Sequence, residues 1–251
     1  MENKKKIIIE AKNIGKNFVV KALNVRVLTD VSIIVNQGDF LVLFGPSGCG
    51  KSTLLHILLG LEIPTSGHVN FFGQSLYNQM DEDMRTEFRK RHIGMVYQQP
   101  NWIKALTVAE NINFALRLNG IKEFEAKIKS ENILKQVGMY DWRDYMPMEL
   151  SSGQQQKIAL ARAIVTNPDI LIADEPTGNL DFESGQELMA LLSKMNSEGK
   201  TVIMVTHDLE YLTYASRAVQ MFDGKVVREI VNPKKFVVEN KIGFKRIKNE
   251  K

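Results

Sequence analysis

GPSGCGKST, residues 45–53, is the stretch of sequence that decides the fold. The apolar run Phe40–Phe44 stands directly before it and predicts a buried strand, and the residues after it carry the apolar spacing of a helix over 51–60. A glycine-rich loop between a strand and a helix matches the phosphate-binding pattern G-x-x-x-x-G-K-[ST]. The sequence therefore predicts a site for nucleotide phosphates at this loop, although a purely structural glycine turn is the alternative.

Each position of this loop has a chemical reason. Gly45 and Gly50 allow the backbone to curl so that successive N–H groups point at phosphate oxygens, and the following helix adds its positive N-terminal end. Lys51 is expected to neutralise the β- and γ-phosphates, and the Ser52 hydroxyl is a candidate Mg²⁺ ligand. The other loop residues expected to contact the phosphates are Pro46, Ser47, Gly48, Cys49 and Thr53.

A second, acidic motif lies further along the chain. The apolar run 170–173 ends in Asp174 and Glu175, and a buried strand that delivers two carboxylates at its end is typical of the Walker B motif. Asp174 is expected to hold Mg²⁺, and Glu175 to polarise the attacking water as a general base. Acids after an apolar run also begin many helices, so the motif gains its weight from the phosphate loop. The next apolar run ends before His207, whose position favours a γ-phosphate contact over a structural role.

The apolar runs alternate between two patterns. Buried strands are predicted at 7–10, Phe40–Phe44, 93–97, 170–173 and 202–205, and helices at 51–60, 80–91, 123–137, 154–166, 185–197 and 209–215. This alternation predicts an α/β fold with a largely parallel core sheet. Antiparallel strands are expected at 69–72 and 218–227, the latter a hairpin that turns at Asp223-Gly224. Residues from about 99 to 167 contain no strand pattern and predict an inserted helical subdomain.

Composition and charge narrow the class of protein. The chain has 251 residues, of which 44% are hydrophobic, and a formal net charge of +4. Residues 234–251 alone carry seven Lys or Arg against two Glu, so the rest is close to neutral. A nucleic-acid enzyme is expected to carry basic charge on its body, so no nucleic-acid partner is predicted. The basic tail is either a solvated end or a segment that lies against anionic lipid.

No apolar stretch approaches the length of about 18 residues that indicates a membrane-spanning helix, and the N-terminus lacks the apolar region of a signal peptide. The protein is therefore expected to stay in the cytoplasm and to reach a membrane only through a partner. The single cysteine excludes an internal disulfide and a cysteine-based zinc site. The four histidines lack metal-ligand spacing.

LSSGQQQKIALARA, residues 150–163, resembles the LSGGQ signature of ATP-binding cassette (ABC) ATPases. The other motifs follow in the family's order: GPSGCGKST, Gln98, LSSGQ, ILIADEPTGNLD and His207. The resemblance covers residues 7 to 229 and implies a P-loop NTPase with a RecA-like mixed sheet core, an antiparallel β subdomain and an inserted helical subdomain at about 99–167. It assigns an ABC transporter-type ATP-binding domain to residues 7–230 and leaves a basic tail at 231–251.

The resemblance implies ATP and Mg²⁺ as cofactors and a head-to-tail dimer, in which each ATP lies between one subunit's P-loop and the other's signature. The γ-phosphate of the opposite nucleotide would then meet Ser151, Gly153 and Gln154. Gln98, with Gln99 as the alternative, matches the glutamine that touches Mg²⁺ and relays the nucleotide state. Phe18 falls where the family places a ring against adenine, unless it is an ordinary core residue, and Asp181 matches the aspartate that crosses the dimer interface.

Two stretches look like one branch of this family, DEPTGNLD and IGMVYQQPNWIKALTVAENI. That branch contains the lipoprotein-release, macrolide-export, FtsE-like and antimicrobial-peptide-resistance ATPases, whose membrane partners transmit mechanical force. The resemblance therefore implies a homodimer or paralogous ATPase dimer on the inner face of the membrane, beneath an integral membrane permease-like subunit. Residues 101–103 would form the groove for the partner's coupling helix.

Two alternatives within the superfamily stay open from the sequence. ATP-gated clamps and DNA-repair ATPases insert long coiled coils or zinc modules, or carry two cassettes, whereas this chain has one copy of each motif. A regulatory subunit with weak turnover is the second alternative, because Ser152 replaces the second glycine of the signature and Lys157 replaces an arginine. If Ser152 must adopt positive φ, a strain of about 1 kcal/mol or more is expected to slow turnover.

A thiol beside a helix N-terminus and a lysine is expected to be reactive. Alkylation of Cys49 should therefore inhibit nucleotide binding, and ATP should protect the thiol. The measurement is the rate of modification with and without ATP, and equal rates would contradict the expectation.

Overall fold

The computed structural model describes residues 6–21, 23–234 and 236–237. The chain divides into two compact units: Met1–Arg85 together with Ile203–Lys251, and Thr86–Val202. Strand β8, Thr201–Thr206, gives its first two residues to the second unit and the others to the first, and helix α2, Glu82–His92, likewise crosses a boundary.

The first unit contains an antiparallel sheet in the order β2-β1-β4-β5. Its strands are β1 (Ile7–Val20), β2 (Leu23–Asn36), β4 (Ser66–Phe71) and β5 (Gln74–Ser75). In the second half of β2 every other residue is buried (Val31, Ile33 and Val35), so one face of the sheet packs on the core and the other is exposed. The antiparallel strand predicted at 69–72 is confirmed, whereas the strand predicted at 7–10 is only the start of β1 and β2 was missed.

The same unit contains the strand that leads into the phosphate loop. The order here is β10-β9-β3-β8, in which β3 (Phe40–Phe44) runs parallel to β9 (Arg217–Phe222) and β9 runs antiparallel to β10 (Lys225–Val231). All five residues of β3 are buried, as a short apolar run predicts. The β9–β10 hairpin turns at Asp223-Gly224 and confirms the prediction. Helix α1, Lys51–Leu58, follows the loop.

The second unit pairs β6 (Ile93–Tyr97) in parallel with β7 (Ile170–Asp174), next to the start of β8. No residue between 99 and 167, all of which are described, lies in a strand. The helices of this unit are α3 (Val108–Leu118), α4 (Glu123–Gln136), α5 (Ser152–Ile164) and α6 (Phe182–Ser197). Helix α3 was not predicted, although Thr107 and Glu110 form a capping box at its start.

Two predicted segments differ in detail from the structure. Residues 209–215 form a 3-10 helix, Leu209–Tyr214, rather than an α-helix. Order continues past residue 230, since β10 ends at Val231, the Phe236 ring lies 6.0 Å from the Phe44 ring and Val237 is buried. The rest of the predicted tail, 238–251, lies outside the described residues. Among the residues that are described, no helix has the length and apolarity to cross a bilayer.

A buried ion pair fixes the start of β3 to β9. The side chain of Asp39 is 1% exposed and lies 2.6 Å from Arg217 Nη1, and its Oδ2 also accepts the backbone N–H of Asn36 at 3.0 Å. Arg217 in addition pairs with Glu229 on β10 and donates to the carbonyl of Ile34. This arginine therefore joins four segments of the first unit.

Replacing Arg217 by Met should destabilise the first unit by about 3–5 kcal/mol, because the buried Asp39 carboxylate loses its cationic partner. Glu229→Gln is the matched control and should cost less than about 1 kcal/mol, since that side chain is 48% exposed. The measurement is urea-induced unfolding of both variants. Equal midpoints would show that the Arg217–Asp39 pair does not support the fold.

Candidate active site

The phosphate loop adopts a backbone that only glycine supports at two positions. Gly45 has φ +154 and Gly50 has φ +98. A Cβ at Gly45 would lie 2.1 Å from the carbonyl oxygen of Met221, and a Cβ at Gly50 would lie 2.8 Å from Leu28 Cδ2. The loop thus rests directly on the backbone of β9, and its curl leaves no room for a side chain at either glycine.

Lys51 places its ammonium over this loop. The side chain is buried at the start of α1, and Nζ donates to the carbonyl oxygens of Gly45 at 2.9 Å and Pro46 at 3.0 Å. Ser47, Gly48 and Ser52 are exposed, and Thr53 is half-buried. The N-terminus of α1 carries no side-chain cap, because its N-cap residue is Gly50. Backbone donors, a cation and a hydroxyl therefore converge at one exposed loop, which is the chemistry that binds phosphate.

Cys49 is buried, whereas a reactive thiol needs access to solvent. The residue is 5% exposed, its carbonyl accepts the N–H of Gly224 at 3.2 Å, and its Sγ lies 3.1 Å from the place of a Cβ on Gly45. These contacts are those of a small residue that packs beneath the loop. Alkylation of this thiol stays a prediction, and a reagent would need the loop to open.

Two further predicted residues belong to the first unit. Phe18 on β1 is half-buried, outside the fully buried core, and the ammonium of Lys16 lies 4.7 Å from its ring centroid. Lys16 in turn pairs with Glu62 and donates to the carbonyl of Ile63 at 2.7 Å. His207 is exposed and follows the last residue of β8 directly, where the sequence predicts it.

The acidic motif lies at one edge of the second unit. Tyr97, the last residue of β6, pairs in parallel register with Asp174, the last residue of β7, so Gln98 and Glu175 leave the sheet at the same edge. Glu175 is half-buried and has φ +46, an uncommon backbone for a residue with a side chain. Strained backbone of this kind concentrates at functional sites. The sequence contains no signal for it.

The side chain of Gln98 lies against the loop that follows Glu175. Its Nε2 is 3.4 Å from Asn179 Oδ1 and would be 2.7 Å from a Cβ on Gly178. Gly178 therefore makes room for the Gln98 amide, and Asn179 is a contact that the sequence analysis missed. Gln99 is exposed.

The signature motif forms the capped start of α5. Ser151 is the N-cap: its Oγ accepts the N–H of Gln154 at 3.3 Å, and its own N–H donates to Gln154 Oε1 at 3.0 Å. Ser151 and Ser152 are exposed, whereas Gly153 is buried. The exposed end of the helix presents backbone N–H groups and a positive dipole to solvent, which suits an anion.

Gly153 is small because Ser184 lies beside it. A Cβ on Gly153 would be 2.6 Å from Ser184 Oγ, which donates to Asp181 Oδ2 at 3.0 Å. Asp181 is also the N-cap of α6 and accepts the N–H of Ser184 at 2.8 Å. That backbone hydrogen bond, with the hydroxyl, lowers the pKa of Asp181 and keeps it ionised. Ser184 thus connects the predicted interface aspartate to the signature, a link that the sequence did not indicate.

The prediction of backbone strain at Ser152 is wrong. Ser152 is the first residue of α5 and lies outside the set of residues with positive φ, because the helix begins directly after its N-cap Ser151. A helical serine at this position needs no unusual backbone. Lys157, the second departure from the signature, pairs with Glu187 on α6 at 2.6 Å. Neither departure distorts the described helix.

Three side chains of α5 that the sequence analysis passed over bind the segment after β6: Gln155, Gln156 and Arg162. Gln156 is 2% exposed although it is polar. The available signal was its helical spacing from the apolar Ala159, Leu160 and Ala163, which places it on the buried face of α5.

A glycine loop with a seated lysine, a strand that ends in two carboxylates and a capped helix with an exposed N-terminus define a P-loop nucleoside triphosphatase. The profile of the ABC transporter family matches residues 28–178. A relative described as an uncharacterized ABC transporter ATP-binding protein of Methanocaldococcus jannaschii is 41% identical over 90% of this chain and 100% of its own length. The chain belongs to the ABC transporter family and is an ATP-hydrolysing subunit of an ABC transporter.

Other relatives agree with the branch that the sequence suggests. The lipoprotein-releasing system ATP-binding protein LolD of Psychrobacter arcticus is 40% identical over 86% of this chain and 96% of its own length. The macrolide export ATP-binding/permease protein MacB 2 of Yersinia pestis is 33% identical over 89% of this chain but only 33% of its own length. A solved dimeric ATP-binding cassette bound to ADP and phosphate matches 90% of this chain and 99% of its own, with 36% identity and a TM-score of 0.83.

Gly45→Ala should weaken ATP binding by about 10–100-fold, because the new methyl meets the Met221 carbonyl and such overpacking costs about 1–3 kcal/mol. Gly48→Ala is the matched control in the same loop. Its φ is +79 but no atom lies within 4 Å of the added Cβ, so a loss below about tenfold is expected. Titration with a fluorescent ATP analogue measures both, and equal losses would contradict the contact.

Proposed function

We propose that this chain is one half of an ATP-driven dimer that powers a separate membrane subunit of the lipoprotein-release and macrolide-export branch. The phosphate loop carries the proposal, because the Lys51 ammonium is already held by two carbonyl oxygens of that loop. A cation so placed meets the β- and γ-phosphates with little reorganisation. Phe18 stacks on the adenine, and the residues Gly45 to Thr53 enclose the phosphates.

Mg²⁺ accompanies the nucleotide in this proposal. Each unit offers oxygen donors for it: the hydroxyl of Ser52 in the first unit, and the side-chain oxygens of Asp174 and Gln98 in the second. A hydroxyl, a carboxylate and an amide are the hard oxygen ligands that Mg²⁺ prefers, so the residues fit the ion. When bound, it neutralises charge on the phosphate oxygens.

Glu175 and His207 act on the reacting end of the nucleotide. Glu175 accepts a proton from the attacking water, and its left-handed backbone supports a role that demands a fixed side-chain direction. His207 contacts the γ-phosphate from the end of β8.

Two copies of the chain complete the nucleotide sites. The exposed N-terminus of α5 offers Ser151, Gly153 and Gln154 to the γ-phosphate held by the other copy. The Ser151 hydroxyl accepts a hydrogen bond within the capping box, so its own proton remains available to donate to an anion. Asp181 lies at the interface, and the dimeric state of the solved cassette with ADP and phosphate supports this arrangement.

The membrane partner binds a groove of the second unit. This groove has a volume of about 400 Å³ and is lined by apolar side chains of β6, of α3 and of the segment between them, among them Met95, Ile103 and Phe114. Ile103, Phe114 and Leu118 are each more than one third exposed, and apolar side chains grouped along one groove are typical of a contact surface. Asn101 and Ile103 line this groove, while the Trp102 indole N–H donates to Gln155 on α5.

The names of two relatives support a membrane partner. MacB joins ATP-binding and permease in one name, and this chain matches only 33% of its length. LolD, matched over 96% of its length, is named as the ATP-binding protein of a lipoprotein-releasing system. On this proposal the chain works on the cytoplasmic face, beneath an integral membrane subunit. A regulatory ATPase with weak turnover is the second candidate.

Glu175→Gln separates the two candidates. If Glu175 is the general base, turnover should fall by about 10²–10⁴-fold while ATP still binds, and an ATP-bound dimer should accumulate. Mg²⁺-ATP hydrolysis and size-exclusion chromatography of the purified protein measure these effects.

Glu198→Gln makes the same exchange at an exposed acid beyond α6 and should leave turnover and oligomeric state unchanged. A Glu175→Gln variant that hydrolyses ATP at the rate of the unmodified protein would support the regulatory reading instead.

A further inference from the structure

Gln156 contacts the backbone around Gln98. Its side-chain Nε2 donates to the carbonyl oxygen of Tyr97 at 3.0 Å and to that of Gln98 at 2.8 Å. These carbonyls belong to the two peptide groups that flank the α-carbon of Gln98. Since one side-chain amide binds both carbonyls, a residue of helix α5 restrains the φ and ψ angles of Gln98.

The orientation of the Gln156 amide follows from chemistry. Both of its neighbours in the segment are hydrogen-bond acceptors, so the NH₂ group must face them. The opposite end, Oε1, is then buried and has no hydrogen-bond partner among the described residues. A buried acceptor left unpaired is destabilising. The two bonds donated to the backbone around Gln98 are therefore the interactions that the Gln156 amide supplies to this segment.

The same helix holds the rest of the segment. Arg162 donates to the carbonyl of Asn101 at 3.2 Å, and its guanidinium lies 4.6 Å from the Trp102 ring. Gln155 Oε1 accepts the indole N–H of Trp102 at 2.8 Å. Helix α5 therefore binds the segment from Tyr97 to Trp102 at both ends.

We propose that Gln156 is a positioning residue for the ATPase reaction and that it acts through Gln98. The signature, which in the proposed dimer meets the nucleotide held by the other copy, is the N-terminal end of α5, and Gln156 lies one turn further along the same helix. Gln156 thereby transfers the position of the signature to the backbone of Gln98, whose amide rests against Gly178 and Asn179. This inference rests on the proposed role of Gln98 at the nucleotide.

The test variant is Gln156→Met in the full-length chain. Methionine has nearly the same length but lacks the two donors. It removes the unpaired Oε1 and leaves two carbonyl oxygens without this donor, so only a modest fall in melting temperature is expected. The turnover number for Mg²⁺-ATP should fall by about 10–100-fold, as expected for a misplaced reacting group. The KM for ATP should change by less than about twofold, because the phosphate loop and Phe18, which supply most of the proposed ground-state contacts, are untouched.

A double variant shows whether Gln156 acts through Gln98. Gln98→Ala alone should lower turnover, and Gln98→Ala combined with Gln156→Met should lower it no further, since residues that act as a unit are not additive. Gln136→Met makes the same exchange on α4, where the amide contacts Met195 Sδ, and should leave turnover unchanged. If Gln156→Met fails to fold, Gln156→Asn replaces it: the amide is retained but is one methylene too short for both carbonyls, and the same loss is expected.

Turnover of Gln156→Met within about twofold of the unmodified protein would overturn the inference, and so would losses that multiply in the double variant. Either result would leave the proposed function intact, because the unmodified chain hydrolyses ATP in the same assay. Absence of Mg²⁺-dependent hydrolysis by the unmodified chain would instead count against the proposed function itself.

Discussion

A lysine ammonium held between two backbone carbonyls is the interaction on which this protein depends. The charge of Lys51 is tolerated in a buried position because the oxygens of Gly45 and Pro46 accept from it. Those oxygens face inward only because Gly45 lies against the Met221 carbonyl, too close for any side chain. Strand β9, which contains Met221, is itself held in place, because its residue Arg217 is paired with the buried Asp39 at the start of β3. The loop is therefore as rigid as the sheet beneath it.

In the second unit, helix α5 makes two kinds of contribution to the site. Its capped N-terminus faces solvent, and its side forms polar bonds to the segment after β6. Gly153 packs on Ser184, which binds Asp181, so the first turns of α5 and α6 are held together as well. A single rigid helix with polar contacts at separate points along it is a simple means of making several parts of a site change position together.

Those parts of the fold that a local sequence pattern marks could be predicted from the sequence. Strands β3 and β6 were placed to the residue, because each is a short apolar run. Strand β2 escaped because polar residues alternate along its exposed face, and its start is exposed on both sides. Glycine and charge motifs indicated the site residues. The backbone of Glu175 and the buried amide of Gln156 escaped because tertiary contacts create them, and the strain assigned to Ser152 ignored that Ser151 could cap the helix.

The ring of Phe236 against Phe44 has a practical consequence. Phe44 is the last residue before the phosphate loop, so the strand that leads into that loop packs against a side chain from far downstream. An affinity tag, a fluorescent fusion or a protease site introduced at the C-terminal side should therefore begin after residue 237. A junction placed earlier would remove the Phe236 ring from its contact with Phe44. Low activity of such a preparation would then result from the altered sequence and not from the native protein.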